Sequence, residues 1–231
     1  SWNFRAAPGF FDIVTYEIKE DVTPDSKIEI AHSLASVPNM MIIKSTSADY
    51  DWTVYHVSLG NQKRAFLNTN NGASGDTRIW ASTTPTDAKF FVGQYYSVAQ
   101  KDQKYVAYLF ADTPGLIKCG SYEGNDTSVT EDVGFAVGFV MARNADNNAD
   151  WYMIDTVRSN GAQILMPNKD DSKWEPGFTS ISGNTFTVTG SQLQFNADGD
   201  KYIYVAIAKD AMAGNMPPTG TLTADADDSG P

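Results

Sequence analysis

The sequence repeats itself at an interval of about 100 residues, well above the roughly 20–50 that mark solenoid repeats, so each copy is the size of a folding unit. Gly9-Phe10-Phe11-Asp12-Ile13-Val14-Thr15-Tyr16 returns as Gly115-Leu116-Ile117-Lys118-Cys119-Gly120-Ser121-Tyr122. Asp51-Trp52 returns as Asp150-Trp151, and Lys104-Tyr105-Val106 as Lys201-Tyr202-Ile203. Trp80 followed by Phe90-Phe91-Val92 is echoed by Trp174 followed by Phe186-Thr187-Val188. The recurring residues are aromatic, apolar, Gly and Asp, which preserves a packing plan and not an evident catalytic set.

The interval divides the chain into a first unit over residues 1–112, a second, duplicated unit over 113–210, and a Gly-, Pro- and Asp-rich extended linker or arm over 211–231. Thr113-Pro114-Gly115 is a sharp connector, because Pro114 has no amide to donate. Ser1–Gly9 aligns on Ala107–Gly115. On that alignment residues 1–8 are the end of a preceding strand, and an earlier β module stands before it in a longer protein.

Short runs rich in Val, Ile, Tyr, Phe and Thr recur from end to end: 37–44, 51–57, 104–110, 185–188 and 202–208. Asn-Gly, Gly-Asn and Asp-Gly turns punctuate them. No 12-residue window carries a helical apolar period. The pattern predicts an all-β protein of tandem β-sandwich or jelly-roll-like units with little helix.

Charge narrows the function classes. The 28 acidic residues outnumber 17 basic ones for a formal net charge of −11, which argues against nucleic acid as a partner. No apolar run approaches the ~18 residues of a membrane span, so membrane insertion is not expected. The single cysteine, Cys119, excludes an internal disulfide and sits in an alternating run as a small buried apolar group.

Catalytic signals are sparse. His32 stands beside a turn, where a backbone hydrogen bond explains it better than a role as base. His56 occupies the place that Asp155 takes in the second copy, and alternation puts both on an outward polar face. Asp51 and Asp150 read as turn anchors accepting backbone NH groups ahead of a strand, although glycosidase chemistry needs only two facing carboxylates. No nucleophile elbow, phosphate loop or zinc spacing occurs. No cofactor is expected; for calcium, the stretches Asp146–Asp150 and Glu123–Asp132 supply oxygen ligands without EF-hand spacing. Trp52, Trp80, Trp151 and Trp174 read as core. Tyr95-Tyr96, in the polar loop 93–103, is the candidate for glycan contact, and the turns 72–77 and 145–149 are expected on the outside.

Taken in order, P-G-F-F-D-I-V-T-Y, A-H-S-L-A-S-V-P-N-M-M-I-I-K, D-W-T-V-Y-H, F-L-N-T, I-W and K-Y-V-A-Y-L-F-A-D resemble a domain of unknown function found in marine, cyanophage-like tail-fibre and appendage proteins. The second unit departs from that pattern, since 133–143 lacks the His and Pro of the first. The resemblance implies a non-enzymatic virion structural protein, a segment of a tail fibre or appendage that contributes to host attachment. It would be made in the host cytoplasm and assembled as a homo-oligomer, a trimer by analogy with fibres, beside other virion proteins. The rival readings are a carbohydrate-recognition module for host-surface glycan, a capsid-surface fibre or decoration protein, and a polysaccharide depolymerase.

Overall fold

The computed structural model describes residues 5–169, 173–174 and 177–209. In the first half, β1 (Phe11–Glu17), β2 (Ile28–Ala31), β3 (Met40–Ser45), β4 (Thr53–His56), β5 (Lys63–Phe66), β6 (Ser74–Gly75), β7 (Lys89–Val92) and β8 (Lys104–Phe110) follow one another. The second half runs β9 (Ile117–Glu123), β10 (Ser128–Asp132), β11 (Val137–Asn144), β12 (Tyr152–Asp155), β13 (Ile164–Leu165), β14 (Lys173–Trp174), β15 (Thr179–Ser182), β16 (Thr185–Thr189) and β17 (Lys201–Ala208). A single 3-10 turn at Ser159–Gly161 interrupts the strands of the described residues. None of those residues forms a helix long and apolar enough to cross a membrane.

Each half builds one large antiparallel sheet. The first has the order β1-β8-β3-β4-β5-β6 and the second β9-β17-β11-β12-β13-β14. Strand for strand the two orders coincide, and in each the last strand slots between the first and third. A smaller sheet accompanies each: β2-β7 in the first half, β10-β16-β15 in the second. β15 has no counterpart in the first half.

Side-chain alternation distributes these sheets into four layers. Met41 and Ile43 of β3, with Tyr105, Ala107 and Leu109 of β8, pack against Ile30, Phe90 and Val92 of the β2-β7 ribbon. Met40 and Ile42, on the opposite face of β3, join a core that holds Val140, Tyr202 and Val205 of the second large sheet and Phe186 and Val188 of its smaller companion. The large sheets are therefore covered on both faces. That is why 40–43 is an unbroken apolar run, with all four side chains buried. The all-β, sandwich-like reading of the sequence is what the chain adopts.

Two local devices occur once per half. Before β1, Ala7 N donates to Phe11 O, and Phe10 N and Phe11 N donate back to Ala7 O. Before β9, Thr113, Leu116 and Ile117 repeat the same three bonds. Each turn passes through a glycine at positive φ, 73° at Gly9 and 80° at Gly115, where a side chain would be strained. The second device is a clasp. Trp52 N donates to Asn68 Oδ1 at 2.9 Å while Asn68 Nδ2 donates to Asp51 Oδ1 at 2.8 Å. Trp151, Asn168 and Asp150 repeat it at 3.1 and 2.8 Å. The two aspartates thus anchor through an asparagine amide, not through the backbone NH groups that the sequence suggested.

The junction between the large sheets corrects two further expectations. His56 and Asp155 are buried, not outward, because the face on which alternation places them is covered by the opposite sheet. Likewise the turns at 72–77 and 145–149 do not both face solvent: Ala73 N donates to Ala145 O at 2.9 Å and Gly72 N to Asn148 Oδ1 at 2.9 Å. The tryptophans divide as well. Trp80 and Trp151 are buried and Trp52 is half-buried. Trp80 lies between β6 and β7, whereas Trp174 lies within β14, so these two do not occupy matching places. The expected strand over residues 1–4 and the arm over 211–231 lie outside the described residues.

Candidate functional site

The loop from β7 to β8 carries Tyr95 and Tyr96, and buried chemistry fixes it from beneath. Gly93 opens the loop where its N donates to Ile79 O at 3.0 Å; a Cβ there would stand 2.1 Å from Arg78 O, so only glycine permits the approach. Val98 N and Ala99 N close a tight turn on Tyr95 O at 3.0 and 2.7 Å. Two tyrosines rising from the large sheet donate into that turn, Tyr16 OH to Val98 O at 2.8 Å and Tyr105 OH to Tyr96 O at 2.7 Å. Ser97 Oγ, buried, shares a 2.6 Å hydrogen bond with Thr53 Oγ1 of β4.

So held, Tyr95 and Tyr96 stack at 4.7 Å between centroids with 27° between planes. Tyr50 meets Tyr96 edge-on at 5.0 Å. Beneath Tyr95 lies the buried guanidinium of Arg64, 4.2 Å from the Tyr95 ring centre, with Nη2 donating to the Tyr95 hydroxyl at 2.6 Å. Tyr96 keeps 41% of its surface exposed. Burial of its hydroxyl end, with Tyr95 and Asp51 nearby, pushes its pKa up to about 12.

Both tyrosines line a surface cleft of about 490 Å³ whose rim includes Asp21, Arg78, Gln94 and Lys101. The charged groups there are already paired. Lys101 meets Asp21 at 3.0 Å, and Arg78 grips Asp76 through two hydrogen bonds of 3.1 Å. Gln94 Nε2 donates to Val22 O at 3.1 Å. An aromatic face beside amide and hydroxyl groups suits a sugar ring. Among the lining residues Asp21 alone carries a carboxylate, whereas glycoside hydrolysis ordinarily needs two.

The remaining candidates are dispersed. His32 lies in the turn after β2, with Nε2 3.2 Å from Thr86 O and Nδ1 accepting from Leu34 N at 3.3 Å. His56 Nδ1 accepts from Ser58 N at 3.1 Å, so its proton sits on Nε2, which donates to Tyr204 O across the sheet junction at 3.0 Å. Burial lowers the His56 pKa to about 4 and keeps the ring neutral. The thiol of Cys119 is buried, and burial pushes its pKa up. In the suggested calcium stretches the oxygens serve separate partners. Asp146 Oδ2 accepts from Lys201 N at 2.8 Å, Asp150 pairs with Lys169 at 2.6 Å, and Glu131 Oε2 accepts from Tyr204 OH at 3.2 Å. No three His, Cys, Asp or Glu side chains among the described residues are grouped to hold a metal.

Sequence reasoning missed the two buried arginines. Arg143 is fully buried on β11 and donates to Asn144 O at 3.0 Å, to Phe66 O at 3.1 Å and to Asn71 O. With Trp151 Nε1 donating to Phe66 O at 2.7 Å and Lys201 Nζ to Ser58 O at 2.6 Å, it ties the second sheet to the first. An arginine directly after the apolar run of 137–142, inside the same strand, was the available signal.

Fold and cleft together define an all-β, four-layer protein with an aromatic-floored polar cleft at one loop. Over residues 5–211 the chain matches the family described as Domain of unknown function (DUF7483), and it belongs to that family. No curated protein matches it.

Proposed function

We propose that the chain is a non-catalytic structural segment of a phage tail fibre or related virion appendage, made in the host cytoplasm and assembled as a trimer with other virion proteins. The observation that carries this reading is the junction between the large sheets. A load-transmitting segment needs units that do not slide, and here His56, Arg143, Trp151 and Lys201 each bond the backbone of the opposite half. The turn repeated before β1 and β9 is a reusable joint between successive units. A net charge of −11 makes like subunits repel, so contacts between copies are apolar and hydrogen-bonded. The resemblance to appendage proteins supports the virion location. Imaging purified particles with a specific antibody tests it: threefold density along an appendage is expected. Isolated copies on the capsid would make the chain a decoration protein, and absence from particles would sink the assignment.

A second reading rests on the Tyr95-Tyr96 cleft, which has the exposed ring and polar rim of a host-glycan contact. Tyr96→Ala should lower glycan binding about tenfold, the loss of one ring stacked in a small site, with Tm unchanged. Equal binding by both proteins would remove the cleft from consideration. Release of reducing ends from host polysaccharide, abolished by Asp21→Asn, would instead promote a depolymerase.

A further inference from the structure

We propose that the gap between the two large sheets is a binding site for a small apolar molecule, one aromatic ring or a short branched alkyl group in size. Met40, Ile42 and Phe110 of the first sheet face Phe139, Met141, Val205 and Ile207 of the second around an apolar pocket of about 160 Å³ that is partly open to solvent. Protein interiors ordinarily pack to a density of about 0.74 and keep few voids larger than a water. The wall of this pocket exposes no polar atoms, so a water there would find no hydrogen-bond partner on the protein. An apolar cavity of about 150 Å³ is known to stay dry and to accept benzene.

Hydrogen bonds tie the two halves together beside the pocket. On one side His56, the cross-strand partner of Met40, bonds Tyr204 O at 3.0 Å, and Lys201 bonds Ser58 O at 2.6 Å. On the other, Thr113 Oγ1 bonds Gly9 O, and Cys119 N bonds Asp112 Oδ1 at 2.5 Å. An apolar guest seated there would add dispersion contacts with the pocket wall. The two methionines have unbranched, polarisable side chains that adjust to guests of differing outline. A charged or strongly hydrated ligand would forfeit its solvation there.

Benzene is the probe, with benzoate as the charged control. In methyl-labelled protein, benzene should shift the Met40 and Met141 signals saturably, leave Met166 unmoved, and raise Tm by about 3 °C near ten times Kd. Benzoate should do neither. Val205→Trp, which puts a bulky ring into the pocket, should abolish the shifts; if that variant fails to fold, the contrast of benzene with benzoate on the native chain decides. Unmoved signals up to the solubility limit of benzene, or equal shifts at all three methionines, would overturn the proposal.

Discussion

The Asp-Trp-Asn clasp is built twice with the same bonds, yet its two tryptophans end in different places. Trp52 is half-buried at the margin of the core, whereas Trp151 keeps 1% of its surface exposed. The difference lies across the junction. Trp151 donates to Phe66 O of the first half and carries the Arg143 guanidinium 5.1 Å from its ring centre. Local sequence therefore dictates the clasp, while burial is conferred by the sheet that happens to lie opposite.

The largest expected effect follows from that asymmetry. Trp151→Ala should cost about 3–5 kcal/mol, the range for deleting a fully buried indole, and Trp52→Ala about 1–2 kcal/mol. Equal losses in denaturant titrations would mean that the junction does not distinguish the halves. Next come the buried arginines. Arg143→Met removes the hydrogen bonds to Asn144 O, Phe66 O and Asn71 O and should cost ~3 kcal/mol. Arg64→Met should cost under ~1 kcal/mol or stabilise, because Arg64 Nε and Nη1 are buried without hydrogen-bond partners. A reversal of that order would break the assignment of Arg143 as the tie. The third effect is a matter of pH. His56 is neutral when folded, with a pKa lowered from 6.5 to about 4, so between these values the unfolded chain binds the proton and the folded one does not. Its contribution is complete above pH 6.5 and falls away toward pH 4, by on the order of 3 kcal/mol at most. Unfolding midpoints across that window should drop for the native chain and flatten in His56→Gln.

The same asymmetry explains what could be read from the sequence. Strands 40–45 and 104–110 were legible from composition and alternation, and Asp51-Trp52 and Asp150-Trp151 stand at the two clasps. The loop position of Tyr95-Tyr96 was also visible. His56 and Asp155 were misjudged because period-2 alternation reports which residues share a face, not whether a second sheet covers it. Arg64, beneath Tyr95, was unreadable for a related reason: its partners come from a strand and a loop about 30 residues apart, joined only by the fold.

The interleaved strand order has a bearing on how the chain is made. β8 is the last strand of its half, yet it lies between β1 and β3, pairing Phe11 with Phe110 and Met40 with Phe110. During synthesis neither neighbour can complete its hydrogen bonding until residues 104–110 have left the ribosome, and Met40-Met41-Ile42-Ile43 waits meanwhile as a bare apolar ribbon. The second half repeats the delay, with β17 inserting between β9 and β11. Closure over such long loops is slow and leaves sticky intermediates. Each large sheet therefore stays open until its keystone strand arrives, and the protein completes its core in two stages.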